Sequence, residues 1–162
     1  MKKKLFCLVF SLFVFTAFAQ KAEFPTAPLK DLKGKTVDLR ELSTDDKPMV
    51  IAFWATWCGP CIQELNAIND QMDDWQSETP FDFYAVSLDD SKTVGRVNPM
   101  VNGKGWDFNI LLDTNNDLKR LLNISSPPYV VIVKNKEIVY RHVGYQPGSE
   151  VELYEQIKEF SK

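Results

Sequence analysis

The hydrophobic and polar positions of the chain alternate between strand-like and helix-like segments. Residues 49–54 form an uninterrupted apolar run, which is typical of a central strand covered on both faces. From residue 58 onwards, apolar side chains recur at spacings of three and four, the pattern of an amphipathic helix. These apolar positions are Ile62, Leu65, Ile68, Met72 and Trp75. A buried strand is therefore predicted to lead directly into a long helix.

The other segments complete an α/β pattern. A Lys-Gly turn between alternating apolar positions predicts an N-terminal β-hairpin over residues 30–39. Further strands are predicted at 81–88, 109–112, 129–133 and 138–143, short helices after Ser91 and over 117–122, a loop at 102–105, and a last helix begun by a Ser149–Glu152 capping box. The order β-hairpin, β, α, β, α, β, α, β, β, α predicts an α/β fold with a central sheet and helices on both faces.

The beginning of the chain has the pattern of a secretory leader. Lysines at 2–4 precede an apolar stretch at 5–18, and Ala17-Phe18-Ala19 fits a cleavage site, which predicts a signal peptide over 1–19 and one domain over 20–162. The apolar stretch is shorter than the about 20 residues of a spanning helix, which favours cleavage over a membrane anchor. Cys7 lies ahead of most of this stretch, which argues against lipidation. We expect export, to a bacterial periplasm or to an extracytoplasmic Gram-positive site.

Charge and cysteine content narrow the function of the exported part. The leader carries three lysines and no acidic residue, so residues 20–162 keep 16 basic and 22 acidic residues, a net charge of −6. This balance argues against nucleic acid as a partner. Cys58 and Cys61 are the cysteines that remain, in a compartment where disulfides persist. A protein with this complement is expected to handle disulfides rather than to be held together by them. The oligomeric state does not follow from the sequence.

The pair Cys58-Gly59-Pro60-Cys61 lies where the predicted strand meets the predicted helix. The first backbone N–H groups of a helix are unpaired and its dipole is positive there, which favours the thiolate of the first cysteine. We therefore expect Cys58 to be an exposed nucleophile, and Cys61, one turn further on the same face, to close a disulfide with it.

Two structural alternatives for this pair lack support. A structural zinc site needs about four cysteine or histidine ligands, and the chain otherwise has only Cys7 and His142. A purely structural disulfide across so short a loop would restrain little of the unfolded chain. His142 lies far from the cysteines in the sequence, and no catalytic role is expected for it. We expect neither a metal nor an organic cofactor, since the electrons travel as thiols.

The stretch Phe53-Trp54-Ala55-Thr56-Trp57-Cys58-Gly59-Pro60-Cys61 resembles the thioredoxin superfamily, and most of all its exported TlpA/ResA-like branch. The resemblance implies a thioredoxin-like fold with a mixed sheet and protein-disulfide oxidoreductase activity. It also implies an N-terminal hairpin and an extra strand-helix insert, at roughly 77–105, before a cis-proline. Trp57 is expected to flank the opening and shield the disulfide. The residues expected to bind the substrate are Trp57, Gly59, Pro60, Pro127 and Pro128.

The resemblance places the cis-proline at Pro128, just before the predicted strand at 129–133, although Pro127 could itself be the cis residue. Relatives use the residue before the cis-proline to offer both a backbone N–H and a C=O to an extended substrate. Pro127 has no N–H, so substrate pairing is expected to lose one hydrogen bond.

Glu64 coincides with an acidic residue of ResA-like proteins that is thought to influence thiol protonation. Thioredoxin itself uses an Asp at the position of Ala52, so this task would fall to Glu64 or to water. The alternative is a solvated first-turn carboxylate favoured by the helix dipole.

These observations predict a thiol-disulfide oxidoreductase that reduces disulfides in exported client proteins. The dipeptide Gly59-Pro60 matches that of reducing thioredoxins. The resemblance implies a membrane thiol donor of DsbD or CcdA type and suggests apocytochrome c or another cysteine protein as client. The alternatives are a disulfide donor with the same site, a redoxin-type thiol peroxidase and a copper-binding chaperone. Ala55 stands where peroxidases of that type have threonine.

Overall fold

The computed structural model describes residues 22–162, and the predicted leader lies outside the described residues. The described chain forms one sheet flanked by helices. Its strands are β1 (Ala22–Glu23), β2 (Leu29–Asp31), β3 (Thr36–Val37), β4 (Met49–Trp54), β5 (Asp82–Ser87), β6 (Asn109–Leu112), β7 (Tyr129–Lys134) and β8 (Glu137–Val143). Its α-helices are α1 (Leu39–Leu42), α2 (Gly59–Glu78), α3 (Val97–Lys104), α4 (Asp117–Leu121) and α5 (Ser149–Phe160).

The sheet is mixed, with the strand order β1-β8-β7-β4-β5-β6-β2-β3. Strands β4, β5 and β6 are parallel, whereas β7 is antiparallel to β4. Every residue of β4 is buried, as its uninterrupted apolar run predicts. The carboxyl ends of three parallel strands therefore meet at one edge, and the chain leaves β4 at that edge toward Cys58.

Two apolar clusters cover the two faces of the sheet. Val50, Ala52 and Trp54 point to the side where α2, α3 and α5 pack, and Trp75 of α2 stacks on Tyr154 of α5 with ring centroids 4.7 Å apart. The alternate residues of β4 point to the other side, which α1 and α4 cover. The predicted central sheet with helices on both faces is confirmed.

Several local predictions were wrong. Leu39 begins helix α1 instead of extending the hairpin, because the Asp38 side chain accepts a hydrogen bond from Arg40 N at 3.0 Å and caps a helix there. The predicted loop at 102–105 is largely the end of α3, which stops at Gly105 with φ +66°. The capping box at the start of α5 does not form, because Gly148 is the N-cap.

The segment 77–105, where the family resemblance places the insert, holds β5, a 3₁₀ turn at Val94–Arg96 and α3. Within residues 22–162, no helix combines the length and apolar character needed to cross a bilayer.

Candidate active site

A tight turn joins β4 to α2 and carries Cys58 to the start of the helix. Cys58 N donates to Ala55 O at 3.0 Å, and Cys58 is the N-cap of α2. Its Sγ accepts a hydrogen bond from Cys61 N at 3.3 Å. Cys58 and Cys61 form a disulfide with their Cα atoms 5.3 Å apart, which confirms the predicted pairing. The first sulfur is therefore held at the positive end of the α2 dipole.

The prediction that Cys58 is exposed was wrong for this disulfide form. Cys58 is 6% exposed and Cys61 is fully buried. The Cys58 side chain belongs to the same apolar cluster as Trp54 and Leu65. Cys58 nevertheless remains the more accessible cysteine of the pair.

The residues around the disulfide include exposed groups, as expected. Trp57, immediately before Cys58, is 57% exposed, and Gly59 and Pro60 are exposed at the first positions of α2. Trp57 therefore presents a large apolar surface next to Cys58.

The peptide bond between Pro127 and Pro128 is cis, so Pro128 is the cis residue and the alternative of Pro127 is excluded. Phe53 of β4 pairs with Tyr129 of β7, which places Pro128 beside the end of β4 and next to the turn that carries the cysteines. Pro128 O accepts a hydrogen bond from Gly144 N at 2.9 Å, so this carbonyl is used within the protein. Pro127 is half-buried and, as a proline, has no N–H to offer.

Glu64 lies on the buried face of α2 and is only 3% exposed. The solvated-carboxylate alternative is therefore wrong. Burial raises the pKa of Glu64 to about 8, with a further contribution from the negative charge of Glu150. At neutral pH this carboxyl group holds a proton in the disulfide form.

Two residues near Glu64 escaped the sequence prediction. Tyr145 OH donates to Glu150 Oε2 at 3.0 Å, and Gly148 N donates to the same oxygen at 3.0 Å. Burial, and then the hydrogen bond to Glu150, raise the pKa of Tyr145 to about 12. Tyr145 and Glu150 lie far from Glu64 in the sequence, and only the packing of α5 on α2 brings the three together.

A buried carboxylate, Asp89, also escaped prediction. It follows β5 at the edge of the sheet where Cys58 follows β4, and it is fully buried. Asp89 accepts hydrogen bonds from Thr56 N, Thr56 Oγ1 and Ser87 Oγ. A sequence signal was available, because side chains that follow neighbouring parallel strands meet at one edge of the sheet.

His142 lies on β8, half-buried, with its ring stacked on Tyr140 at 6.4 Å between centroids. In the part of the chain that the structure describes, no three His, Cys, Asp or Glu side chains are grouped so that they could hold a metal ion.

Comparison with known proteins identifies the chemistry of this site. The family model named Redoxin matches residues 19–157. The thiol-disulfide oxidoreductase ResA of Bacillus thuringiensis (strain Al Hakam) is 26% identical over 133 residues, which cover 82% of this chain and 74% of ResA.

Solved structures agree with this match. A thioredoxin-like protein from Porphyromonas gingivalis is 44% identical, with a TM-score of 0.74 over 87% of this chain and 93% of that one. StoA from Bacillus subtilis, at 22% identity and a TM-score of 0.66 over 87% and 99% of the two chains, shows the same fold. The Redoxin match spans most of the chain, and the Cys58–Cys61 disulfide lies within it. The chain thus belongs to the Redoxin family and is a TlpA/ResA-like thiol-disulfide oxidoreductase of the thioredoxin superfamily.

Proposed function

We propose that this oxidoreductase works in the cell envelope and reduces disulfides in exported client proteins. The observation that carries the proposal is the asymmetry of the pair. Cys58 caps α2 and retains some exposure, whereas Cys61 is fully buried behind it. Such an arrangement suits one cysteine to attack a client and the other to release it.

The reaction proceeds in two exchanges. The Cys58 thiolate attacks a client disulfide, forms a mixed disulfide with one client sulfur and releases the other as a thiolate, which takes up a proton. The Cys61 thiol then passes its proton to the Glu64 carboxylate and attacks Cys58 Sγ. The second client thiolate leaves, so the client gains two electrons and the Cys58–Cys61 disulfide forms.

Glu64 is suited to the proton transfer because of its position and its pKa. It follows Cys61 by three residues on the same buried face of α2. Its pKa of about 8 in the disulfide form means that it retains, at neutral pH, the proton that Cys61 gives up. When the disulfide is reduced again, Glu64 returns this proton to the departing Cys61 sulfur.

Client binding is assigned to the surface around the disulfide. Trp57, Gly59 and Pro60 offer exposed contacts on one side, and the half-buried Pro127 offers a contact on the other, positioned by the buried cis residue Pro128. The carbonyl of Pro127 accepts one hydrogen bond from an extended client segment. Since Pro127 has no N–H, the pairing is one-sided.

The proposed function also implies a cellular compartment and an electron donor. The signal-like residues 1–19 support export, with a bacterial periplasm as the natural setting. That compartment is kept oxidising, so a reductant there needs electrons from the membrane. A thiol donor of DsbD or CcdA type would supply them, and the clients are exported proteins that contain disulfides.

The reduction potential of the Cys58–Cys61 pair tests the direction of electron flow. The protein spanning residues 20–162 is equilibrated with glutathione or dithiothreitol buffers, and the oxidised fraction is measured. We expect about −230 mV or lower, in the range of reducing thioredoxin-like proteins. A value near about −120 mV, like that of the strong periplasmic oxidant, would make the protein a disulfide donor instead.

A further inference from the structure

The turn between β4 and α2 has two central residues, of which one is buried in the protein and the other is exposed to solvent. Ala55 O accepts from Cys58 N at 3.0 Å, which makes Thr56 and Trp57 the two central residues of the turn. Trp57 is 57% exposed, whereas Thr56 is 9% exposed. The turn is therefore anchored to the protein through Thr56.

Asp89 provides that anchor with both carboxylate oxygens. Thr56 N donates to Asp89 Oδ2 at 2.8 Å, and Thr56 Oγ1 donates to Asp89 Oδ1 at 2.6 Å. Ser87 Oγ donates to Oδ2 at 2.8 Å from the other side. In all three hydrogen bonds the Asp89 carboxylate is the acceptor, which is the only role that an ionised carboxylate can take. We call the two hydrogen bonds between Thr56 and Asp89 the turn clamp.

The sheet fixes the position of the turn clamp. Leu88 N donates to Trp54 O at 2.7 Å and extends the pairing of β4 with β5 by one step. The next residue, Asp89, thus lies beside the start of the turn. The carboxylate is fully buried, and no ion pair involving it is found within residues 22–162, so its charge is stabilised by the neutral donors of Thr56 and Ser87.

We propose that Asp89 is a positioning residue that, through the turn clamp, keeps Cys58 Sγ over the N-terminus of α2. The proposal deepens the proposed function and rests on it in one respect, that Cys58 is the attacking thiol. Cys58 Sγ receives its helix hydrogen bond from Cys61 N at 3.3 Å, so a shift of the turn by a fraction of an ångström weakens it.

Loss of the clamp has a defined chemical consequence. Asp89→Ala leaves the N–H and the hydroxyl of Thr56 buried without their acceptor, so the turn is expected to move to satisfy them. Once Cys58 Sγ moves away from the helix N-terminus, its thiolate loses stabilisation. The pKa of the Cys58 thiol then rises, and less thiolate is present at neutral pH.

The experiment measures the pKa of the Cys58 thiol in fully reduced protein. The rate of alkylation by iodoacetamide is followed against pH, and mass spectrometry assigns the alkylated cysteine. For Asp89→Ala we expect the pKa to rise by about half a unit, a roughly threefold loss of thiolate at a pH below the pKa. Thr56→Val breaks the hydroxyl half of the clamp and is expected to give a smaller rise. If Asp89→Ala fails to fold, Thr56→Val still tests whether the clamp affects the Cys58 pKa.

Asp89→Asn separates positioning from charge. An asparagine side chain can accept from Thr56 N and donate to Thr56 Oγ1, so it can maintain the clamp without the negative charge. We expect its Cys58 pKa to be close to that of the unmodified protein. If Asp89 acted through its charge, loss of that anion would lower the Cys58 pKa in both Asp89→Asn and Asp89→Ala, which would overturn the proposal.

Asp113→Ala is the matched control for general loosening. Asp113 is 2% exposed and follows the neighbouring parallel strand β6, but its oxygens accept from Asp117 N, Leu118 N and Lys119 N at the start of α4. Its loss is expected to lower the melting temperature without moving the Cys58 pKa. If the Cys58 pKa rises equally in Asp113→Ala and Asp89→Ala, or does not rise in Asp89→Ala, the turn clamp does not position Cys58. Alkylation at Cys61 in the unmodified protein would instead refute the proposed function.

Discussion

Glu64 follows Cys61 by three residues on α2, and both side chains are turned into the same apolar interior, 3% and 0% exposed. A carboxyl group in this position is desolvated, and its pKa rises to about 8. The protein therefore maintains, three residues after Cys61, a buried acid with a pKa of about 8. The desolvation that raises this pKa is also what would suit Glu64 to the proposed proton transfer.

The first prediction concerns stability against pH in the disulfide form. Burial raises the folded-state pKa of Glu64 to about 8 from its ordinary value of 4.5. Between these two pH values the folded state holds a proton that the unfolded state has lost. The free energy of unfolding should therefore fall as pH rises from about 5 to about 8, by on the order of a few kcal/mol, and then level off.

Chemical denaturation at several pH values measures this fall. Glu64→Gln removes the titrating group, so its stability should change much less over the same range and should exceed that of the unmodified protein at pH 8. Glu41→Gln, on the exposed surface of α1, is the matched control and should preserve the slope. If the free energy of unfolding of Glu64→Gln falls with pH as steeply as that of the unmodified protein, another group causes the fall.

The second prediction concerns the roles of the two cysteines. Reduced Cys61→Ser should form a stable adduct with oxidised glutathione at Cys58, because no second thiol is present to resolve it. Reduced Cys58→Ser should react far more slowly, because Cys61 is fully buried. Mass spectrometry of the intact proteins detects both adducts. Equal adduct formation in the two variants would contradict the assigned order of attack.

The third prediction concerns Trp57. Because this side chain is 57% exposed, Trp57→Ala should change the free energy of unfolding by no more than about 0.5 kcal/mol. It removes apolar surface beside Cys58, so the KM for a disulfide-containing protein client should rise while the reaction with a small disulfide is little affected. Val151→Ala, a 62% exposed apolar residue on α5, is the control and should leave both reactions unchanged. If Trp57→Ala and Val151→Ala change the KM for the protein client equally, Trp57 has no specific role in client binding.

Periodicity and the Cys-x-x-Cys motif were sufficient to predict the central strand, the long helix and the disulfide, since each depends on residues that are close in the sequence. The six buried residues of β4 and the apolar stripe of α2 are local patterns. What could not be read locally was the environment of the site. The burial of Cys58 depends on the apolar cluster that distant segments build around it, and the burial of Glu64 depends on how α5 packs on α2.

Residues that act across the fold were missed for the same reason. Asp89 lies 33 positions from Thr56, and their hydrogen bonds exist only because β4 and β5 are neighbours in register. The loop before α5 was also misjudged. Ser149 matched a capping box, but its Oγ accepts a hydrogen bond from Gln146 N, and Glu150 accepts from Gly148 N and Tyr145 OH instead.

The last prediction concerns Pro127, which has no backbone N–H to offer to a client. An alanine at this position restores a backbone N–H beside the cis-proline, and an extended client segment can then pair on both sides. One added hydrogen bond contributes about 0.5–1.5 kcal/mol, so the KM for a protein client should fall by about two- to tenfold with kcat unchanged.

Steady-state reduction of a disulfide-containing protein by Pro127→Ala measures this change, and the Cβ and Cγ chemical shifts of Pro128 check that the peptide bond before it is still cis. Pro147→Ala, in the exposed part of the loop before α5, is the matched control and should leave KM unaltered. If KM does not fall although the cis bond is kept, the missing N–H does not limit client pairing. Client specificity would then depend on side-chain contacts such as those of Trp57.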